Sequence, residues 1–508
     1  SVRYGSPMGE LLPRTSSHPD DTAVITDAGS VTWHELETNA ARVANGLIAA
    51  GLGVGDRWAL LAGNCLEWPE LYLGNVIVGA KYVPLNWHLT VPELVYLLDN
   101  SEATFMVVDA KNEANGREAA RQHGIPDDRI VVIGDGYTAW RDAQSSEMPE
   151  VTVTGSALLY TGGTTGRSKG VVRADSGVGL QQWLTGTAAW GSYVHMPASG
   201  PILFTTPLYH AYGAGVLQAC LSRGHTMVLR DRFDTAAFLA DIESFAIAGA
   251  PVVPTLMVRL AKLDDAEFAR YDLSSLQWIC HTAAPCPAWA KQRMIDLLGP
   301  IVIEFYGSSE GTGPCVCTSQ EWLDRPGTVG RPSPVLTVSV VDDDGNDVPV
   351  GSIGTLYFAR VDGAPEYHGD RDKTDKSRLP DGRFTVGDVG WIDEDNFIYL
   401  ADRRVDLILA GGVNVYPAEI EGVISEHPAV RDVAVFGIPH PELGEQVKAA
   451  VETEPGKSVT EDEIIAWCRE RLAGFKCPRS VDFHDALPRE AHGKLKKRLL
   501  RDAYWPAQ

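Results

Sequence analysis

Residues 160–170 read YTGGTTGRSKG, with four glycines, three threonines, a serine and a lysine in eleven positions. Glycine lets backbone N–H groups converge on one point, and hydroxyls add further donors. Arg167 and Lys169 add two cations. Apolar residues on either side, Ala157 to Tyr160 and Val171-Val172, read as buried strands. Such a loop suits phosphate. The Walker A spacing G-x-x-x-x-G-K-[ST] fails, because Arg167 falls where a glycine is required and Gly170 follows Lys169 where a hydroxyl should hold magnesium. The competing reading is a flexible surface turn, but linkers rarely place so many threonines between two apolar strands.

Further stretches could do chemistry. Tyr306-Gly307-Ser308-Ser309-Glu310-Gly311 sets hydroxyls and a carboxylate on a glycine-rich turn after a strand, where magnesium ligands sit. Val386-Gly387-Asp388 places another carboxylate on a tight turn, and Arg403 and Asp406 flank a change of texture. Gly411-Gly412-Val413-Asn414-Val415-Tyr416-Pro417 is a second glycine-rich turn. His492-Gly493-Lys494 precedes the basic run Lys496, Lys497, Arg498. Each alone has a structural explanation as a strand turn, a helix cap or a solvated charge run.

The elements that must position these residues alternate. Thr32-Trp33-His34-Glu35 is a capping box, with Ala40, Val43, Ala44, Leu47 and Ile48 following at helical spacing. Trp58 to Ala62 reads as a strand, 67–79 as a helix, 81–85 as a strand, and Thr90-Val-Pro-Glu93 opens another helix before the strand 105–108. Strands are also expected at 202–206, 226–229, 252–254 and 301–305. This alternation predicts right-handed βαβ units and mostly parallel sheets. After about residue 325, turns at 342–345, 351–354 and 381–382 separate strands at 337–341 and 355–358, the texture of an antiparallel β subdomain. From Ala418 short helices and strands alternate again (418–425, 430–436, 448–453, 461–472). The fold class is therefore α/β: a large N-terminal domain, 1–402, of two α/β sheet subdomains plus an antiparallel β subdomain, then a small α+β domain, 403–508. No repeat or low-complexity tract interrupts this.

Bulk composition narrows the function. The 508 residues carry 44% hydrophobic and 22% charged side chains, an ordinary globular balance. A net charge of −23 argues against a nucleic-acid partner. The stretch 403–508 holds 15 Lys and Arg against 17 Asp and Glu, so nearly all the negative charge falls elsewhere. Eight scattered cysteines and no signal peptide predict free thiols and a cytoplasmic setting. Cys280, His281, Cys286, Cys315 and Cys317 match no zinc spacing and read as core residues. The uncharged run 245–258 is broken by prolines and too short for a membrane span.

Taken in order, YTGGTTGRSKG, PLYH (207–210), YGSSE (306–310), GD (387–388), DRRVD (402–406), GGVNVYP (411–417) and GK (493–494) resemble the adenylate-forming superfamily of acyl-CoA synthetases, peptide-synthetase adenylation domains and firefly luciferase. The resemblance runs from about Thr32 to Arg501 and is most like a bacterial acyl-CoA ligase. It implies ATP-dependent activation of a carboxylate to acyl-AMP, release of pyrophosphate, and transfer of the acyl group to a thiol, with the small C-terminal domain swinging between the two steps. By resemblance, Thr161, Gly162, Gly163, Thr164, Thr165, Gly166 and Lys169 grip the β- and γ-phosphates. Glu310, with Ser309, binds magnesium beside the α-phosphate. Ala283, Ala284, Pro285 and Tyr306 line the adenine, and Gly307 and Ser308 complete that nucleotide-binding turn. Asp388 takes the ribose hydroxyls and Arg403 reaches the same ribose. Lys494 bridges the substrate carboxylate and the α-phosphate, and His210 stands beside the reacting carboxylate. Gly411 and Gly412 line the pantetheine tunnel, while Phe475 and Lys476 meet the nucleotide end of coenzyme A.

Four positions depart from the usual pattern. Ser309 replaces a threonine and keeps the hydroxyl, Val386 replaces a threonine, and Arg173-Ala174-Asp175 replaces a histidine-bearing segment. Val405 stands where the hinge usually carries Asp or Lys, which bears on how the swing is poised. The expected function is an acyl-CoA ligase using ATP, Mg2+ and coenzyme A. Since the chain ends soon after the lysine turn, a stand-alone enzyme is expected rather than a synthetase module; the alternative is one that loads an acyl carrier protein. A luciferase-type oxygenase and a silent binding protein stand further off, the latter opposed by intact Lys494, Glu310 and Asp388. Bulky and small residues from Trp183 through His210, Gly213 and Gly215 to Thr255 and Gly313 suit a hydrophobic acid: fatty, aryl or polycyclic. The oligomeric state is open, a dimer included.

Overall fold

The Glu35 amide donates to Thr32 Oγ1 at 3.1 Å while Glu35 Oε2 accepts from the Thr32 amide at 2.8 Å, so the helix Trp33–Ala49 begins at its expected capping box. Glu93 accepts from the Thr90 amide at 2.8 Å and starts Val91–Ser101 in the same way. The computed structural model describes residues 11–161, 169–172, 177–361, 363–410, 413–490 and 493–505. The fold is mixed α/β, several sheets making up the larger N-terminal part and one sheet the smaller C-terminal part. The chain packs as two units. One is Ser1–Val252 with Ala266–Cys280 and Pro365–Asp375; the other is Val253–Asp265, His281–Ala364 and Lys376–Gln508. The segment 403–508 lies wholly in the second.

In the first unit, five parallel strands run in the order Ile130–Val132, Met106–Val108, Arg57–Leu61, Lys81–Pro84, Ser156–Ala157. Helices between them supply the crossovers that parallel neighbours need. A second set runs Gly249–Val252, Ile202–Phe204, Met227–Leu229, Thr22–Thr26, with Gly29–Thr32 antiparallel at its edge. A small antiparallel sheet joins Leu159–Thr161, Lys169–Val172 and the distant Glu366–Tyr367.

In the second unit, Leu336–Val341, Gly354–Arg360, Asp388–Ile392 and Ile398–Arg403 form the expected antiparallel sheet. C-terminal to it, the long hairpin Val430–His440 with Gly444–Thr453 is flanked by Ile408–Ala410 and by the parallel strand Ser480–His484. Ile408, Val415, Ile420, Ile424, Val435, Val451 and Ile464 form a buried core drawn entirely from this stretch. Each such side chain contributes roughly 1.5–3 kcal/mol by leaving water.

One expected strand moves. Residues 252–254 do not form it; the strand is Gly249–Val252, and Pro254 begins the helix Pro254–Ala261. Proline has no N–H for a sheet ladder, and its fixed φ suits a helix's first turn. The eight cysteines are free, and Cys220, Cys280, Cys315, Cys317, Cys468 and Cys477 are buried. No described helix is long and apolar enough to cross a membrane.

Candidate active site

In the second unit the strand Val302–Tyr306 ends at Tyr306, whose hydroxyl donates to Asp388 Oδ2 at 2.6 Å. Asp388 opens Asp388–Ile392 and is the register partner of Arg403, which closes Ile398–Arg403. Arg403 Nε lies 3.4 Å from Asp388 Oδ1. A carboxylate only 7% exposed thus meets a phenol on one oxygen and a guanidinium on the other. Burial, then the Asp388 charge, pushes the Tyr306 hydroxyl well above the usual phenol range, so it donates at neutral pH. Desolvation works against the Arg403 charge, but Asp388, Asp406 and Glu310 outweigh it and raise its pKa.

The turn after Tyr306 doubles back on itself. A Cβ at Gly313 would lie 2.5 Å from the Tyr306 carbonyl oxygen, so that position requires glycine. Arg360, last in Gly354–Arg360, donates to the carbonyls of Gly311 at 3.2 Å and Gly313 at 3.0 Å, bracketing the turn that carries Gly307, Ser308, Ser309 and Glu310. Ser308 Oγ is buried with no hydrogen-bond partner among the described residues. The charges of both Arg403 and Lys494 interact with Glu310.

Lys494 follows Gly493, whose φ is +85° and whose Cβ, if present, would stand 2.9 Å from Thr255 Oγ1. Glycine therefore lets this turn rest against residues 253–255. The turn closes through Gly493 N to Glu490 O and Glu490 N to Lys494 O, both 2.8 Å. Arg489 donates to the Gly493 carbonyl and grips both oxygens of Asp432. Burial first, then Arg403, lowers the Lys494 pKa, against the pull of Glu490, Glu310 and Asp406. The turn Ala283-Ala284-Pro285 carries Ala283 at φ +80°, a conformation that side-chain-bearing residues rarely adopt.

In the first unit, Lys169 Nζ lies 2.5 Å from Asp370 Oδ2. Thr161 ends the strand Leu159–Thr161. His210 holds the N-cap position of Ala211–Arg223, its ring centroid 4.4 Å from that of Tyr209. In the same unit Trp183 lies 6.4 Å from Tyr72 between ring centroids, and Trp190 faces Gly215. Tyr212 donates to the Cys280 carbonyl at 2.7 Å.

Gly162, Gly163, Thr164, Thr165, Gly166, Gly411 and Gly412 lie outside the described residues. Phe475 and Lys476 share the short turn Gly474–Lys476; Phe475 is exposed, and Lys476 donates to both oxygens of Glu419 at 2.7 Å. Asp370, Arg360 and Arg489 were not singled out by the sequence reading. Their partners are remote or backbone, so no local spacing marks them, though Arg489 stands close before the noticed His492-Gly493-Lys494.

The family model described as AMP-binding enzyme matches residues 13–368, and that for the AMP-binding enzyme C-terminal domain matches 419–494. The chain belongs to the AMP-binding enzyme family. It is 32% identical to a feruloyl-CoA synthase of Amycolatopsis sp over 495 residues, covering 96% of this chain and 97% of that one. It is 31% identical to the fatty acid–[acyl-carrier-protein] ligase ScoC of Streptomyces coeruleorubidus, covering 97% of this chain and 96% of that one. Its fold matches ATP-bound MatB from Rhodopseudomonas palustris with a TM-score of 0.82 at 30% identity, covering 97% and 98%. The protein is an AMP-forming acyl-CoA ligase, an enzyme type that works with an acid, ATP and coenzyme A.

Proposed function

We propose that this ligase activates a hydrophobic carboxylic acid (fatty, aryl or polycyclic) to acyl-AMP and transfers it to coenzyme A. The observation that carries the reading is Asp388 flanked by Tyr306 and Arg403, with Glu310 and Lys494 in the same charge network. A ribose offers two hydroxyl donors, and a carboxylate accepts both. Tyr306, on the other side of Asp388, sits with Ala283, Ala284 and Pro285 against the adenine.

A carboxylate is a poor electrophile and repels triphosphate, so the first step is driven by positioning and charge stabilisation. One carboxylate oxygen attacks the α-phosphorus and pyrophosphate leaves, while Lys494 bridges acid and α-phosphate and Thr161 to Lys169 hold the departing group. Glu310 and Ser309 are hard oxygen donors on a glycine-rich turn. Together with substrate phosphates they suit magnesium, which is held by one or two protein ligands rather than a full cage. Bound there, the ion would neutralise charge on the phosphates. His210 guards the reacting carboxylate.

In the second step a thiolate attacks the acyl carbon and AMP leaves. For this, residues 403–508 act as a mobile domain, Gly411 and Gly412 line the pantetheine path, and Lys476 exchanges Glu419 for the nucleotide phosphates of coenzyme A beside Phe475. The aromatic groups Tyr72, Trp183 and Trp190, the last packed over Gly215, favour an apolar or aryl acid, as does the likeness to a feruloyl-CoA synthase. The likeness to ScoC favours a second acceptor, an acyl carrier protein. A cytoplasmic setting suits both acceptors. Pyrophosphate release measured over a panel of carboxylates, without acceptor, with coenzyme A, and with holo carrier protein, tests the reading. Release stimulated by the carrier protein alone would favour the second acceptor, and release with no acid in the panel would overturn the acid class.

A further inference from the structure

The segment Pro365–Asp375 comes from the second half of the chain yet packs into the first unit, on the strand that carries Lys169. Its strand Glu366–Tyr367 pairs antiparallel with Lys169–Val172, Tyr367 opposite Val171. The His368 amide donates to the Gly170 carbonyl at 2.8 Å. His368 Nε2 lies 3.2 Å from the Asn100 carbonyl, and Asn100 Oδ1 accepts from the Tyr160 hydroxyl at 2.7 Å. Asn100 thereby ties this strap to the strand before residues 162–168, while the strap's own pairing holds the strand after them.

Gly369 then turns the chain at φ +68°, and Asp370 caps the helix Arg371–Lys376. Asp370 Oδ1 accepts from the Lys373 amide at 3.0 Å, and the Asp370 carbonyl accepts from Thr374 Oγ1 at 3.0 Å. With Oδ1 fixed by the backbone, Oδ2 is left for Lys169 Nζ at 2.5 Å. The Lys169 side chain is only 16% exposed, so this contact is not a solvated surface pair. The pKa of Asp370 is lowered, first by its bond from Lys169.

A lysine on its flexible stem must lose rotamer freedom before it can grip a phosphate. A carboxylate already anchored by a strand and a helix cap removes that freedom in advance. An ammonium has three N–H donors, so a bond to Asp370 leaves two for phosphate oxygens. We infer that Asp370 is a positioning residue that holds Lys169 in place for the leaving phosphates of ATP. The inference rests on the reading of Lys169 as a phosphate ligand. Asp370 acts only through Lys169 and touches no substrate.

The test uses the full chain and four forms: Asp370→Asn, Asp370→Glu, Lys169→Ala and the Asn/Ala double variant. Acyl-AMP formation is followed by pyrophosphate release at varied MgATP, and thioester formation is measured separately from supplied acyl-AMP. Loss of one charge-assisted bond predicts that Asp370→Asn raises KM for MgATP and weakens inhibition by inorganic pyrophosphate, each about tenfold. KM for the acid and thioester formation stay unchanged, Asp370→Glu recovers most of the loss, and Asp370→Asn costs nothing further on Lys169→Ala. A KM for MgATP that falls or stays constant in Asp370→Asn overturns the inference, since the carboxylate would then compete with phosphate or be idle. So does an equal loss in the Lys169→Ala background, or an equal loss in thioester formation. If Lys169→Ala itself leaves KM for MgATP unchanged, the phosphate reading of Lys169 fails first and takes Asp370 with it.

Discussion

Tyr306 and Asp388 stand 82 positions apart in the chain and share a 2.6 Å hydrogen bond. The bond joins the end of a strand in one sheet to the start of a strand in another, so it locks two turns into one corner, the one we propose for the nucleotide. Its carboxylate is buried, and a buried acceptor that loses a donor bears the desolvation cost.

Tyr306→Phe is therefore expected to raise KM for ATP about tenfold, a bond to a charged group contributing roughly 1.5–3 kcal/mol and Arg403 still supporting Asp388. The acid KM should not move. Steady-state rates at varied ATP check this, and an unchanged KM would mean that the pair serves only to join the sheets.

Lys494 supplies a pH prediction. Burial and Arg403 hold its pKa below the ordinary 10.5. The native chain then releases that proton at lower pH than the unfolded chain. Between the two values the unfolded state binds more protons, and this site's contribution to stability rises with pH. In the proposed first step catalysis runs the other way, because only the ammonium form of Lys494 could bridge two anions. Acyl-AMP formation should fall as pH rises through the lowered value, while thioester formation from supplied acyl-AMP should lack this limb. Lys494→Ala should cost the first step on the order of 10² to 10³ in rate. Matching alkaline limbs in both half-reactions would assign the titration to another group.

Ala283 offers a test by stability. At φ +80° a Cβ costs roughly 1–2 kcal/mol. Ala283→Gly removes that strain but returns about 0.4–1 kcal/mol through the freer unfolded chain. A net gain of up to about 1.6 kcal/mol is expected, read as a higher denaturant midpoint. A lower midpoint would mean that contacts of the methyl group hold the turn.

What was readable in the sequence follows the range of each signal. Thr32 with Glu35 and Thr90 with Glu93 announce their helices because both partners sit within one turn. Tyr306, Glu310, Asp388, Arg403 and Lys494 were legible as a recurring order of motifs, and the fold gathers them in one unit. Their mutual contacts were not legible, since spacing says nothing about which sheets meet. Lys169 and Asp370 are 201 positions apart, joined by a strand pairing of two residues that no periodicity marks. Pro254 misled for a local reason, an apolar run in which strand and helix composition coincide.

Val405 carries the last prediction. The residues before it are anchored to the β sheet: Arg404 N donates to the Gly387 carbonyl at 2.9 Å, and the Arg404 side chain reaches Thr355 Oγ1 at 3.0 Å and Asp343 at 2.7 Å. The Val405 carbonyl instead accepts from Arg501 at 3.2 Å, on the C-terminal helix Lys497–Arg501. The change of attachment thus falls at this peptide, and the Val405 side chain is exposed. Further on, Lys262 donates to the Val430 carbonyl and Trp289 to Ser425 Oγ at 3.0 Å, contacts that a swing of 403–508 must break. A β-branched residue prefers extended backbone, so we propose that Val405 biases the pivot of the proposed swing toward one conformer without blocking it. Val405→Asp or Val405→Lys should change the ratio of the two half-reaction rates, and Arg501→Ala should shift it by freeing the carbonyl. Val405→Pro fixes φ and should slow at least one half-reaction by about tenfold or more. Single-turnover rates of adenylation and thioester formation decide it. If Val405→Pro slows neither step, the pivot lies elsewhere within 402–411 and the mobile domain does not begin at Arg403.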